Sequence, residues 1–464
     1  MLWFFRRAVA AVEVAVRLVV ALAVALAVAL GTGATVGACA RDEGGTRPPI
    51  RLVFKHGKIA GRPDALRGLL DRFEASTPGV EVVETSLPSD SDEQHRFYVI
   101  NLEGGAPEFD VMALDVIWIS EFARAGWIRP LDGLLSDEAR TDFFSGTLDA
   151  VMFEGHAYAI PWFADAGVLY ARRDLLAEIG LSRPPRTWTQ LRAAARQIRA
   201  LHPELYGFVW QGKQYEGLVC NALEYIWGAG GRVVDDRDGH VVLDSPRNEM
   251  ALRTMRGWIE EGLTPASVTT MTEEPARHLF QAGRAAFMRN WPYAYTLLQQ
   301  EGSAVRGKVV VTRLPTFEAA QADADANADV VADEDASRTA VATLGGWHLA
   351  VNAGTRHPEI AERFVRFMTS AEAAKTLALS FGYQPARRSV YDDAEIRANA
   401  AFIPGLPEIL ERARPRPVTP YYLMMSKVLQ LEFSAVVSGL RPPRVALERS
   451  AVALRHLMGE EAHP

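Results

Sequence analysis

Four short segments of the chain set an aromatic ring beside a carboxylate, a guanidinium or a glycine at the end of a strand-like run. They are Leu114-Asp115-Val116-Ile117-Trp118, Ile160-Pro161-Trp162-Phe163-Ala164-Asp165-Ala166-Gly167, Arg289-Asn290-Trp291-Pro292-Tyr293 and Thr343-Leu344-Gly345-Gly346-Trp347-His348. A carboxylate or guanidinium can hold vicinal hydroxyls in paired hydrogen bonds. A flat indole or phenyl ring can cover the apolar C–H face of a pyranose and remove that patch from water. The set therefore suits a carbohydrate. Each tryptophan taken alone would serve equally as core filling, and spacing does not by itself bring the four segments together.

Other chemistries find little support. The sequence contains no GxxxxGK[ST] phosphate loop, no HExxH and no GxSxG. The ten histidines are scattered, and His56, His156 and His348 read as structural. Cys39 and Cys220 are the only cysteines, which excludes a disulfide scaffold and a multi-cysteine zinc site. Cys220 lies in the apolar run Leu218-Val219-Cys220-Asn221-Ala222-Leu223 and reads as a buried thiol, not a nucleophile. With 50 Lys+Arg against 57 Asp+Glu, the chain lacks the basic balance of a nucleic-acid binder. A glycoside hydrolase needs two carboxylates that can be distant in sequence. Asp115 and Asp165 would be the pair on that reading.

Such residues need rigid elements behind them. The chain has 464 residues, 48% hydrophobic and 23% charged, an ordinary globular composition long enough for two or three domains. Apolar runs at 50–54, 80–83, 109–114, 168–171, 206–210, 309–314 and 344–351 read as strands. Leu66, Leu69, Leu70 and Phe73 are spaced i, i+3, i+4, i+7 and make one apolar helix face. Residues 117–125 and 173–179 read as helices stopped by Gly126 and Gly180. Thr187-Trp188-Thr189-Gln190 matches a capping box, and Leu191, Ala194, Ala195, Ile198 and Leu201 form the stripe of the helix it starts. The alternation predicts an α/β fold with a mostly parallel sheet, in which ligands sit beyond the carboxyl ends of strands. From Pro404 onward the chain reads as helical with proline breaks. Residues 317–338 hold Asp323, Asp325, Asp329, Asp333, Glu334 and Asp335 among alanines and no glycine. Like charges at this density offer no core, and a calcium loop would need a turn glycine, so a solvated insertion loop is expected.

The N-terminus reads as an address. Arg6 and Arg7 precede an apolar run, clearest over 18–30, and Val36-Gly37-Ala38 leads into Cys39. This is the layout of a secretory signal ending in a bacterial lipobox, with Cys39 lipidated as the first mature residue. An uncleaved anchor helix is the rival reading. Residues 40–49 have no apolar period and read as a tether.

Further motifs carry a family resemblance. They include Phe109-Asp110-Val111, Gly126-Trp127-Ile128-Arg129-Pro130-Leu131, Pro185-Arg186-Thr187-Trp188 and Phe208-Val209-Trp210-Gln211-Gly212-Lys213-Gln214-Tyr215-Glu216-Gly217-Leu218. The last is Arg414-Pro415-Arg416-Pro417-Val418-Thr419-Pro420-Tyr421-Tyr422. With the four aromatic clusters, and in this order, they resemble the family 1 extracellular solute-binding proteins of ABC importers, among them the trehalose/maltose-binding kind. The resemblance covers the chain from about residue 50 onward, the acidic insertion excepted.

That resemblance implies a two-lobed periplasmic-binding-protein fold with a hinge and an interlobe ligand cleft. It assigns 1–39 to the signal, 40–49 to the tether, 50–164 and 343–390 to lobe 1, 165–314 and 391–464 to lobe 2, and 315–342 to the insertion. It implies that Asp115 and Asp165 bind sugar hydroxyls and that Trp118, Trp291 and Trp347 stack or line the cleft. Gly346 would offer backbone, and Arg416 would donate from the last segment. Phe163 stands in the cleft where close relatives often have tyrosine. The loops His56-Gly57-Lys58 and 88–94 would border the cleft. The implied function is hinge closure on a neutral sugar, an α-linked disaccharide such as trehalose or maltose, and its delivery to membrane permease subunits. No catalysis, cofactor, metal or nucleic acid is expected, and the chain would work as an exported, lipid-anchored monomer on the periplasmic or cell-surface side. The rival readings are another solute on the same fold (an oligosaccharide, a polyol phosphate or a sugar acid) and, more remotely, a carbohydrate hydrolase.

Overall fold

The structure, a computed structural model, describes residues 48–59, 63–88, 90–105, 108–235, 239–318, 342–399, 403 and 405–459. The signal and lipobox at 1–39, most of the tether, and residues 319–341 of the acidic insertion lie outside the described residues.

Strand β1 (Ile50–Gly57) alternates buried Leu52, Phe54 and His56 with more accessible neighbours, the period expected when one face meets a core. The helix Pro63–Ser76 lays Leu66, Leu69, Leu70 and Phe73 into that core, as their spacing predicts. Strands β2 (Val80–Leu87) and β3 (Val111–Asp115) follow, then the small pair β4 (Met152–Phe153) and β5 (His156–Ala157). The chain continues through β6 (Ile160–Ala166), β7 (Val168–Arg172), β8 (Tyr206–Val209), β9 (Ala285–Asn290), β10 (Val309–Arg313), β11 (Leu344–Val351) and β12 (Gln384–Pro385).

Two larger sheets result, one of six strands in the order β12-β6-β11-β3-β1-β2 and one of four in the order β10-β7-β9-β8. Both are mixed, which corrects the expectation of a mostly parallel sheet. β1 runs parallel to β2 and β3, but β11 is antiparallel to β3 and β6, and β7 is antiparallel to β9 and β10. In the first sheet the reversed neighbour of β3 and β6 is β11; β6 and β7 are separated only by Gly167, so the chain leaves one sheet and enters the other without a crossover helix. Periodicity reports burial, not strand direction.

Each sheet is the floor of a lobe with helices packed on it. The helix Trp188–Leu201 buries Trp188, Leu191, Ala194, Ala195 and Ile198 in the second core. Its N-cap is Thr187, whose hydroxyl accepts from the Gln190 N–H at 3.2 Å, while Gln190 Oε1 accepts from the Arg186 N–H. Leu201, expected in the buried stripe, is exposed at the last position of the helix. The final helices Tyr422–Val437 and Pro443–Met458 bury Met425, Leu429, Phe433, Leu447 and Leu454 in the same core.

Two boundaries differ from the expected ones. The first-sheet strand β6 continues to Ala166, which pairs with Leu344, so the first passage between lobes falls at Gly167 instead of Asp165. Residues 391–413 were expected in lobe 2, yet Tyr391 meets Phe144 edge-on and donates to the Pro385 carbonyl, and the helix Leu406–Glu411 packs against β6, so this stretch sits on the first lobe. Short proline-interrupted helices carry no mark of which core they join. Among the described residues no helix is long and apolar enough to cross a membrane.

Candidate functional site

Sheet register gathers one wall of a cleft. In β11, Trp347 pairs with Asp115 of β3 on one side and Phe163 of β6 on the other. Gly345 pairs with Asp165. Phe163 and Asp165 are two residues apart on β6, as are Gly345 and Trp347 on β11, so all four side-chain positions and Asp115 point to one face. Residues 232 and 184 positions apart in sequence thus become neighbours of Trp347 for no reason beyond strand pairing.

That face lines a cavity of about 570 Å³. The opposite wall comes from the second lobe: Tyr215 and Glu216 at the start of the helix Glu216–Gly228, Glu273 and Glu274, and Trp291 and Tyr293 just past β9. The Trp291 indole N–H donates to Glu273 Oε1 at 3.3 Å, and Tyr293 donates to Glu274 at 2.8 Å. Gly57, Lys58, Asp90, Glu93 and Gln94 supply the rim from the two first-lobe loops, and Lys213 donates across to Asp90 at 3.2 Å.

Seven of the eight residues singled out from sequence line this cavity: Asp115, Phe163, Asp165, Trp291, Gly346, Trp347 and Arg416. Trp118 does not. It is 1% exposed, caps the helix Ile119–Arg124, and meets Trp347 edge-on at 5.6 Å from beneath. An indole one helical turn past a strand end turns under the sheet, and it supports the cleft tryptophan from the core. Tyr383, Tyr215, Glu216 and Glu273 were not singled out. Tyr383 stacks on Phe163 with centroids 4.3 Å apart, which places a phenol beside the ring where the tyrosine hydroxyl was missed. Tyr215 and Glu216 stood within a quoted motif as an aromatic beside a carboxylate, but they lie five residues past the strand-like run 206–210 and not at its end.

Charge is arranged in two buried sets. Arg416 donates to Glu216 Oε1 at 2.8 Å and to Asp115 Oδ1 at 3.2 Å, and Tyr422 and Ser426 also donate to Glu216. Burial raises the Asp115 carboxyl above its usual range; Arg416 opposes the rise and Glu216 adds to it. Asp165 is less well served. Its Oδ1 is buried and has no hydrogen-bond partner among the described residues. Burial pushes its pKa up to about 8, with Arg289 opposing and Asp115 adding. A buried carboxylate oxygen without a donor is costly unless a ligand supplies one.

Gly346 adopts φ +129°, and a Cβ there would lie 2.5 Å from the Phe163 carbonyl oxygen, so only glycine fits this position. Burial also pushes the Cys220 thiol up, which suits the inert role expected of it. His348 is fully buried and neutral, its pKa pushed down to about 3. None of His56, His156 and His348 lines the cavity. Among the described residues no group of three or more His, Cys, Asp or Glu is placed to hold a metal ion.

Two lobes, three chain passages between them and a cleft walled by acids and rings define the class of two-lobed binding proteins. The chain belongs to the bacterial extracellular solute-binding protein family, whose model matches residues 59–375. It is therefore an exported solute-binding protein and not an enzyme, and the hydrolase reading of Asp115 and Asp165 falls away. It is 35% identical over 395 residues to the "Probable ABC transporter-binding protein" of Deinococcus radiodurans, covering 84% of this chain and 89% of that one. The maltotriose-binding protein of Pyrococcus abyssi is 26% identical, over 80% of this chain and 74% of its own. The maltose-bound structure of T. maritima MalE3 superimposes with a TM-score of 0.79 at 36% identity, covering 88% of this chain and all of that one.

Proposed function

We propose that this chain is the sugar-binding component of an ABC importer. It takes a neutral, α-linked disaccharide such as maltose or trehalose into the cleft, closes on it, and presents it to membrane permease subunits. Asp115 and Asp165 accept from sugar hydroxyls, Trp291, Trp347 and Phe163 cover the C–H faces, Arg416 donates, and Gly346 presents backbone. The observation that carries this reading is the partnerless Asp165 Oδ1, buried beside two indoles in a cavity of disaccharide size. The maltose-bound neighbour and the maltotriose-binding relative support the same class.

Among the described residues the acids that line the cleft outnumber the bases by seven to three, which disfavours a sugar acid or a polyol phosphate. Ligand pulls the lobes together only through its preference for the closed form. The small residues ahead of Cys39 support lipidation there, which would hold a monomer near its permease. A thermal-shift screen with maltose, trehalose and longer α-glucans tests the reading. A ligand at 100 times its Kd stabilises by about 2.7 kcal/mol, so a bound sugar gives a clear rise in Tm. No shift with any of them rejects it.

A further inference from the structure

Beneath the cleft lies a second charged set that the sugar-contact reading leaves without a role. The Arg289 guanidinium and the Glu224 carboxylate are each 2% exposed and face each other, with Nε donating to Oε2 at 2.9 Å and the second nitrogen to Oε1. The remaining guanidinium nitrogen donates to Gln211 Oε1 at 3.1 Å, and Gln211 returns a bond to the Arg289 carbonyl at 3.0 Å. The fork is thereby fixed as a flat plate, and the Trp291 ring lies over it, 4.0 Å from the guanidinium carbon to the ring centroid.

The same ion pair touches the hinge. The Thr343 N–H donates to Glu224 Oε1 at 3.3 Å, and the Thr343 hydroxyl donates to the Cys220 carbonyl at 2.9 Å. Gly167, the residue between β6 and β7, donates its N–H to the Thr343 carbonyl at 3.3 Å. A Cβ on Gly167 would stand 1.9 Å from Glu224 Oε1 and 2.6 Å from the Arg289 guanidinium. Gly167 lacks a side chain where the ion pair comes up against the hinge backbone. Two passages between the lobes and one cleft tryptophan therefore rest on a single buried pair.

We propose that Arg289 and Glu224 are positioning residues that set the Trp291 ring and brace the hinge at Gly167 and Thr343, so that ring placement and lobe movement are coupled. The proposal uses the carbohydrate reading only for the affinity it expects to change. Arg289 is also the positive charge that opposes the rise of the Asp165 carboxyl, which joins the pair to the other side of the site.

The test uses the full mature chain carrying R289M/E224M, which removes both charges together. Removing one partner alone would leave the other buried and unpaired. Trp291 is read in the ligand-free protein as the emission difference between each protein and its W291F derivative. The expected result is a red shift and at least a twofold rise in acrylamide quenching of Trp291, with cooperative unfolding retained. Affinity for maltose, the probe sugar, should fall at least tenfold. Unchanged quenching together with maltose affinity within twofold of the parent would overturn the proposal. Should the double variant not fold, R289K keeps the charge and removes the flat fork. It should show the same Trp291 change and at least a fivefold loss of affinity, and no change in either overturns the proposal. A parent chain that binds none of maltose, trehalose and maltotriose defeats the carbohydrate reading, while the ligand-free quenching still decides the role of the pair.

Discussion

The cleft asks each of its side chains for a different kind of work, and the predictions differ accordingly. Asp165→Asn replaces a carboxyl that can ionise on meeting sugar hydroxyls by a neutral amide, and Trp347→Ala removes a ring. Each should weaken sugar binding by more than ~1 kcal/mol, measured by calorimetry. The Asp165 carboxyl also gives a pH signature. Its folded pKa of about 8 lies above the ordinary 3.8, so the folded chain holds a proton the unfolded chain has lost. That contribution to stability is fully present below about pH 3.8 and is lost as pH rises through about 8. The Tm of the ligand-free protein should therefore decline across this window, and D165N should flatten the decline. Sugar hydroxyls favour the ionised carboxylate, so sugar affinity should rise with pH over the same range. Most of these residues could be found in the sequence because rings and acids cluster at strand ends. Trp118 was misplaced because an indole looks the same in sequence whether it faces the cleft or props up Trp347 from below. Tyr383 and Glu273 escaped because the rings they meet, Phe163 and Trp291, lie elsewhere in the chain.

Strands and helices bring these groups together, and here local chemistry and tertiary context share the credit. The Thr187 cap and the apolar face of the helix Pro63–Ser76 were readable because each depends on residues within one or two turns. Strand direction, the continuation of β6 to Ala166 and the docking of residues 391–413 on the first lobe were not, since they depend on pairing across the chain. Gly346 belongs to this level. Its backbone conformation and its approach to the Phe163 carbonyl forbid a side chain. Gly346→Ala should cost roughly 1–3 kcal/mol in a denaturant titration, and it should also disturb Trp347, one residue on. A cost near zero would show that β11 can relax without the glycine.

The lobes themselves are joined at the cleft mouth by Lys213 to Asp90 and Lys427 to Asp92, both partly exposed pairs. Pairs of this kind contribute ~0–1 kcal/mol each and weaken with salt. These two surface pairs should therefore add little to closure and give affinity only a modest salt dependence. The function proposed for the cleft requires a neutral carbohydrate that bridges its two walls. Titration calorimetry of the mature chain against maltose, trehalose and maltotriose, repeated with D165N, tests that most directly. Saturable one-to-one binding of at least one of these sugars is expected, with a clear loss of affinity in the variant. Heat-silent titrations for all three, or a D165N variant that binds as tightly as its parent, would contradict it.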